Sequence, residues 1–586
     1  MTAVDPAARA DRPQAPQHAT PERVRPVDGA GADPRWRELG VLRGETLWGQ
    51  FAGSAARTPD AVALVARTAT GEQLRWTYSQ LRDTAVRTAA GFARAGVRPG
   101  ERVLLQLPNT AEFAAVVLGL FRLGALPVLA LPAHRSAELR HVAAASGAVA
   151  FVTTDLTGTG PARCDHRDLA RDLLRAPGRP ALRQVLVAGE PEEFGDLANL
   201  AVADVEAAEV SLPAPPGPDD VAFLQLSGGT TGVPKLIPRT HDAYAYTVRE
   251  SARLCGLDGG SRMLVVLPVA HNYPMSSPGI LGTWFAGGTV VLATDPSPGT
   301  AFPLVAAEGV THVSLVPPLA LLWTAAAGDT DHDLSSLRVV GVGGAKCTPE
   351  LARRVPQALG ARLQQVFGMA EGLVNYTRLD DPQDVVVHTQ GRPISPHDEL
   401  RVVDEDDREV PPGEPGYLLT RGPYTVRAYH DAPAQNRSSF TADGFYRTGD
   451  VVRLRPDGNL VVEGRAKDRV NRGGEKVSAE EVEDVLLTHP DVHDAALVGV
   501  PDEHLGERTC AFVVPRPGAS PSVRELRAHV RSAGLAEFKV PDRVEVVAEF
   551  PPTAVGKTSR QQLRTALAAL LAENGPAVAS PSPRES

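Results

Sequence analysis

From Leu47 to Gly344 short apolar runs alternate with Ala- and Leu-rich stretches of helical length, and this alternation constrains the fold more than any other feature. Leu47 to Ala56 reads as a helix, RWTYSQL (Arg75 to Leu81) as a strand and its exit, and Leu81 to Ala95 as a second helix. The pattern continues through RVLLQLP, a helix over Glu112 to Leu123, and LPVLALP. It then runs through AVAFVTT, RQVLVAG, VAFLQLS, RMLVVLP, GTVVLAT, HVSLVPP and RVVGVGG. Strands buried on both faces read as unbroken apolar runs, and strands separated by helices pair in parallel. An α/β architecture with largely parallel sheets is therefore predicted. From about Glu399 the texture changes to short strands and turns (ELRVVDED, GYLLTRG, GNLVVEG). Asp468 opens a smaller α+β segment, with strands AALVGVP, CAFVVP and RVEVVAE around helices at Ala479 and Val523. A chain of 586 residues holds more than one domain. We expect a disordered lead over 1–40, a large domain over 41–465, a small domain over 466–573 and a loose tail over 574–586.

Several classes of function are disfavoured. A formal net charge of -10 argues against non-specific binding to nucleic acid. Cys164, Cys255, Cys347 and Cys510 are too scattered for a metal cluster or a disulfide framework, which fits a reducing cytoplasm. The first ~35 residues have no apolar stretch of signal-peptide type. Ala114 to Pro132 is apolar enough to raise a membrane span, but it carries Arg122 and breaks at Gly124 and Pro127. A buried helix followed by a strand is the expectation, and no membrane association.

The strongest local signal is LQLSGGTTGVPKLIPRTH, Leu224 to His241. A strand runs into Ser227, Gly228, Gly229, Thr230, Thr231 and Gly232, then Pro234 and Lys235. Glycines let successive backbone N–H groups turn toward an anion, the hydroxyls add donors, and the lysine adds charge. It is not the G-x-x-x-x-G-K-[ST] loop, because Pro234 precedes the lysine and Leu236 follows it. The loop resembles the phosphate loop of the adenylate-forming enzymes, a superfamily of acyl- and aryl-CoA synthetases, luciferases and peptide-synthetase adenylation domains. The resemblance runs from about Leu47 to Leu571, with the other motifs in the family's order. These are VGGAK (Val342 to Lys346), QVFGMAEG (Gln365 to Gly372), GYLLTRGPYTVRAYH (Gly416 to His430), YRTGD (Tyr446 to Asp450), GRAKDRVNRGGEKVSAEEVE (Gly464 to Glu483) and PPTAVGKTSR (Pro551 to Arg560).

The resemblance implies a large N-terminal domain of α/β subdomains with a small β-barrel-like part, carrying the ATP and acid sites, and a small mobile α+β C-terminal domain. Glu371 would hold Mg²⁺ against the triphosphate, with Thr230 beside it. Phe367 and Gly368 would face adenine, and Gly343, Gly344 and Ala345 are small enough for close approach to the nucleotide. Asp450 would bind the ribose hydroxyls, joined by Arg465. Lys557 would stabilise charge on the α-phosphate as the carboxylate attacks. Lys467 would be the hinge about which the small domain swings, bringing Gly473, Gly474 and Glu475 to a thiol tunnel.

PVAHNYPMSSPGILGTWFAGG (Pro268 to Gly288) resembles the stand-alone aryl-acid ligases of siderophore and antibiotic pathways. The resemblance makes His271 a catalytic candidate, and Asn272 after it stands where amino-acid-activating domains carry an Asp for the α-ammonium; a neutral amide suits an acid without one. Asn272, Tyr273, Ser277, Val366 and Val374 match the pocket of enzymes acting on 2,3-dihydroxybenzoate; salicylate and 3-hydroxypicolinate are the alternatives. Ser277 can hydrogen-bond a ring hydroxyl, and Val374 leaves room for it. No segment resembles a carrier protein, so the expected acceptor is an aryl carrier protein's phosphopantetheine thiol supplied in trans, with coenzyme A as the alternative.

Overall fold

The computed structural model describes residues 33–158, 163–176, 182–201, 204–227, 234–466, 469–472, 475–502, 505–533, 535, 537–551, 559–560 and 562–567. A seven-stranded sheet has, in spatial order, strands Leu236–Thr240, Val221–Leu226, Leu126–Leu129, Arg102–Gln106, Ala150–Thr154, Gln184–Ala188 and Gly195–Asp196. Only the first pair is antiparallel. A nine-stranded sheet is parallel from Val62–Arg67 across Thr289–Leu292, Arg262–Val265, His312–Leu315 and Val339–Gly343 to Arg362–Gly368. Antiparallel strands close both of its edges: Gln73–Thr77 on one side, Val374–Tyr376 and Arg392–Pro393 on the other. The central strands have helices on both faces, and Ala150–Thr154 and His312–Leu315 are buried throughout. That is why they read as unbroken apolar runs rather than alternating ones.

The apolar stretch after Ala114 is a helix, Ala111–Leu123, stopped by Gly124 at φ 76°, followed by the strand Leu126–Leu129. Arg122 is buried there because Glu209 accepts from it at 2.8 Å and the Pro213 carbonyl at 2.9 Å. No described helix is long and apolar enough to cross a membrane.

The barrel-like part is a four-stranded antiparallel sheet, Glu399–Val403, Gly416–Arg421, Tyr446–Leu454 and Leu460–Arg465. Next comes the small α+β domain, in which Glu475–Ser478, Arg469–Arg472, Gly506–Pro515 and Val492–Asp502 form an antiparallel sheet, with Arg543–Val546 parallel to Gly506–Pro515. Among the described residues, apolar clusters of the large domain end at Val462 and those of the small domain begin at Val470. Polar contacts join the two: Lys346 Nζ lies 3.1 Å from Asp484, and Ser478 donates to the Glu463 carbonyl at 3.0 Å.

The lead expected to be disordered over 1–40 is structured at its end. Residues 35–38 form a short helix whose Trp36 is buried against the core. Arg37 pairs with Asp219 at 2.7 Å and Asp242 at 3.2 Å. Buried Asp242 also accepts from the backbone N–H groups of Arg43, Gly44 and Glu45. One large apolar anchor and one shared carboxylate outweigh the polar composition around them.

Candidate active site

The C-terminal ends of parallel strands converge on one cleft, where ligands of open α/β sheets bind. The strand Val221–Leu226 leads to Ser227, and Leu236–Thr240 returns antiparallel beside it. Between them the loop is closed at its neck: Ser227 N–H donates to the Lys235 carbonyl at 3.0 Å, and Lys235 N–H to Ser227 Oγ at 3.2 Å. Gly228, Gly229, Thr230, Thr231 and Gly232 lie outside the described residues, as do Lys467, Gly473, Gly474 and Lys557. The Lys235 ammonium stands 4.8 Å from the centre of the Tyr429 ring. Its pKa is lowered by burial, with Glu371 opposing the shift.

Glu371 sits in a tight turn after the strand Arg362–Gly368. Its carboxylate accepts from the Tyr429 hydroxyl at 2.8 Å, and that hydroxyl lies 3.0 Å from the Tyr446 hydroxyl. The turn itself is tied on two sides. Val426 N–H donates to the Glu371 carbonyl at 2.7 Å, and the buried Arg239 guanidinium donates to the Ala370 carbonyl at 3.0 Å.

Two cavities flank the end of the strand Arg362–Gly368. One, of about 680 Å³, reaches from Lys235 and Glu371 down to Asn272, Ser277 and Val374. The other, of about 500 Å³, is lined by Gly344, Ala345, Phe367, Gly368, Asp450 and Arg465, and by side chains of the small domain. Gly344, Val366, Gly368 and Arg465 belong to both walls, so the two form one forked cleft. Asp450 is 3% exposed and pairs through Oδ1 with Arg465 Nε at 2.8 Å, directly across the ladder. Phe367 serves twice, as cavity wall and as a flank of the cluster around Leu373 and Leu418. Gly343 has a reason to be small other than approach to a nucleotide. A Cβ there would stand 2.6 Å from the Val366 carbonyl oxygen and 2.9 Å from Val366 Cβ.

The deep end of the first cavity is built on the helix Asn272–Ser276. His271 caps it, Nδ1 accepting from Tyr273 N–H at 3.3 Å. Asn272 Oδ1 accepts from the Tyr244 hydroxyl at 2.9 Å. Tyr273 fits against Gly343, and Ser277 is 3% exposed with Oγ 3.5 Å from Ser276 Oγ. Val366 and Val374 enter from adjacent antiparallel strands. The structure thus brings together the described residues predicted for the acid and nucleotide sites, Gly343 standing just behind the wall; Glu475, predicted for a thiol tunnel, opens the strand Glu475–Ser478 of the small domain.

Several residues escaped the sequence reading. Tyr429 and Tyr446 lie inside motifs quoted for other residues, and their aromatic character was the available signal. Gln225, 2% exposed, donates to the Ala270 carbonyl at 2.9 Å and ties the phosphate-loop strand to the segment carrying His271. Tyr244 gave no local signal, because a tyrosine on the buried side of a helix reads as core, and Arg239 gave none in its strand.

A pocket that carries the Asn272 amide among Tyr273, Val366 and Val374, opening toward Lys235 and Glu371 and onto a second cleft with a buried aspartate, can seat a small acid beside a nucleotide. Comparison with known proteins agrees. Residues 51–430 match the AMP-binding enzyme family and 481–557 its C-terminal domain. The chain is 53% identical over 532 residues to the 2,3-dihydroxybenzoate-AMP ligase of Bacillus subtilis, covering 91% of this chain and 95% of that one. It is 45% identical over 539 residues to the salicyl-AMP ligase / salicyl-S-ArCP synthetase of Mycobacterium tuberculosis, covering 92% and 93%. The apo structure of MbtA from Mycobacterium smegmatis superposes with a TM-score of 0.69 at 47% identity, covering 92% of this chain and 97% of that one. Over both its large and its small domain, the chain belongs to the AMP-binding enzyme family.

Proposed function

We propose that the protein joins an aromatic carboxylic acid, 2,3-dihydroxybenzoate, to ATP and then passes the aryl group to a thiol. A carboxylate oxygen attacks the α-phosphorus and pyrophosphate leaves. A thiol sulfur then attacks the acyl carbon of the aryl-adenylate and AMP leaves. The observation that carries this reading is the forked cleft, whose deep arm ends on the neutral Asn272 between Val374 and Ser277. A carboxylate at Asn272 would favour an amino acid; an amide does not.

In this reading Ser227 through Gly232 and Lys235 hold the triphosphate, and Asp450 with Arg465 holds the ribose. Phe367, Gly344 and Ala345 border adenine. His271, Asn272, Tyr273, Ser277, Val366 and Val374 surround the acid, and Lys557 supports the attack. Glu371 fits a Mg²⁺ ligand, being a buried oxygen donor beside Lys235 with one oxygen steadied by Tyr429. When bound, the ion would neutralise triphosphate charge. The large domain takes in the anchored segment around Trp36 and runs to about residue 465, and the small one spans 466–573, with Lys467 as hinge; the polar character of the contact and the break between apolar clusters support that division. The acceptor is an aryl carrier protein, supported by the relative named salicyl-S-ArCP synthetase, and the setting is cytoplasmic.

Pyrophosphate exchange over 2,3-dihydroxybenzoate, salicylate, 3-hydroxypicolinate and amino acids tests the substrate. If Ser277 bonds the 3-hydroxyl, 2,3-dihydroxybenzoate leads salicylate by roughly tenfold to a hundredfold in kcat/KM. Ser277→Cys should narrow that gap. Preference for an amino acid would refute the reading. Comparing holo-carrier protein with coenzyme A as acceptor decides the second step.

A further inference from the structure

Tyr244 lies behind the acid pocket, in the helix His241–Leu254, and is 1% exposed. Its ring meets Phe223 edge-on with centroids 4.7 Å apart, and the Arg239 guanidinium lies 5.1 Å from its centre. Its hydroxyl donates to Asn272 Oδ1 at 2.9 Å. Burial raises the phenol's pKa, so the group remains a protonated donor. A carboxamide offers an acceptor at one end and two donors at the other, and a flip exchanges them. With Oδ1 held from behind, the Nδ2 end is the one left for the cavity that Asn272 lines. Among the described residues Nδ2 has no hydrogen-bond partner.

We propose that Tyr244 is a specificity-determining positioning residue: it holds the Asn272 amide with its NH₂ toward the cavity, so the cavity favours an acid presenting an acceptor oxygen there over one presenting an amine. The inference rests on the cavity being the acid site. A ring hydroxyl can accept from Nδ2. A ring amine, its lone pair drawn into the ring, meets it donor to donor and leaves both groups unpaired. By the same logic the lock disfavours a substrate ammonium.

Tyr244→Phe keeps the ring packing and removes only the hydroxyl, so Oδ1 loses its buried donor and the amide is free to turn its oxygen to the cavity. The test uses the full chain with three acids: 2-hydroxybenzoate, 2-aminobenzoate, and benzoate as a reference without an ortho group. Dissociation constants come from calorimetry and kcat/KM from pyrophosphate exchange, with thermal unfolding to check the fold. The wild type should favour 2-hydroxybenzoate over 2-aminobenzoate, and Tyr244→Phe should shrink that ratio by about tenfold with little change for benzoate. In an Asn272→Leu background Tyr244→Phe should leave the ratio unmoved. Should Tyr244→Phe fold poorly, Asn272→Asp, which presents an acceptor whatever Tyr244 does, must shift preference toward 2-aminobenzoate. An unchanged ratio in folded Tyr244→Phe, an equal loss for all three acids, or a shift that survives Asn272→Leu overturns the lock. A wild type acting on another class of acid refutes the substrate reading instead, and the lock is then scored on that class's hydroxy and amino members.

Discussion

Replacing Tyr429 with phenylalanine removes one hydroxyl from the Lys235 end of the first cavity and leaves the ring beneath Lys235 in place. That hydroxyl donates to Glu371 at 2.8 Å, and the nearest substitute is the Tyr446 hydroxyl 3.0 Å away. Burial, and then the charge of Glu371, raise the Tyr429 pKa, so at every working pH it is a donor to a carboxylate. Hydrogen bonds to charged groups are worth about 1.5–3 kcal/mol. Tyr446 can turn to cover part of the loss, so a net effect near the lower limit is expected, about 1.5 kcal/mol or roughly tenfold. If Glu371 holds the magnesium of MgATP, the change should fall on the KM for MgATP in pyrophosphate exchange and leave the KM for the acid nearly untouched. Titrating Mg²⁺ at fixed ATP should show a higher requirement in the variant. Unaltered MgATP kinetics in a folded Tyr429→Phe enzyme, or a loss confined to the acid KM, would refute the argument that this hydroxyl positions Glu371.

Lys557→Ala should lower adenylation by about 10²–10³-fold, the typical loss of one transition-state charge donor, while thioester formation from synthetic aryl-adenylate falls far less; equal losses would exclude a withdrawn lysine in the second step. Asp242→Ala should speed amide hydrogen exchange at Arg43, Gly44 and Glu45 by about tenfold to a hundredfold, because all three lose a buried carboxylate acceptor. Glu480, at the contact with Lys346, has its carboxyl raised by burial from 4.5 to about 7. A carboxyl shifted this way keeps its proton in the folded chain where the unfolded chain has lost it. Its contribution is full below the lower value and is lost as pH climbs through the higher one. Glu480→Gln should therefore match wild-type thermal stability near pH 5 and exceed it increasingly toward about pH 8. A constant difference across that range would contradict the burial of this acid.

The sheets were legible because buried parallel strands leave unbroken apolar runs, and VAFLQLS and HVSLVPP could be read without knowing what lay beside them. Of the antiparallel edge strands of the nine-stranded sheet, Gln73–Thr77 was foreshadowed by RWTYSQL, but Val374–Tyr376 and Arg392–Pro393 were not, having only 3 and 2 residues and no period to detect. Glu371, Asp450 and Asn272 could be named from the sequence because they sit in motifs that resemble those of a known family. Their supports could not. Tyr244 reaches Asn272 from 28 positions away, and Tyr429 reaches Glu371 from 58, through packing that no local pattern encodes. Trp36 was the one sign that the lead ends in an anchor, and its polar neighbours masked it.

The wall common to both arms of the cleft also decides where this chain can change its diet. Val366 touches both arms and packs on Gly343, so a substitution there alters both arms together, and with them, on the proposed function, the seats of acid and nucleotide. Of the two arms, Ser277 and Val374 line only the first. A lineage exploring new ring substituents therefore has two positions free to vary at little expense to ATP, and a third at which every gain in one ligand is coupled to the fit of the other.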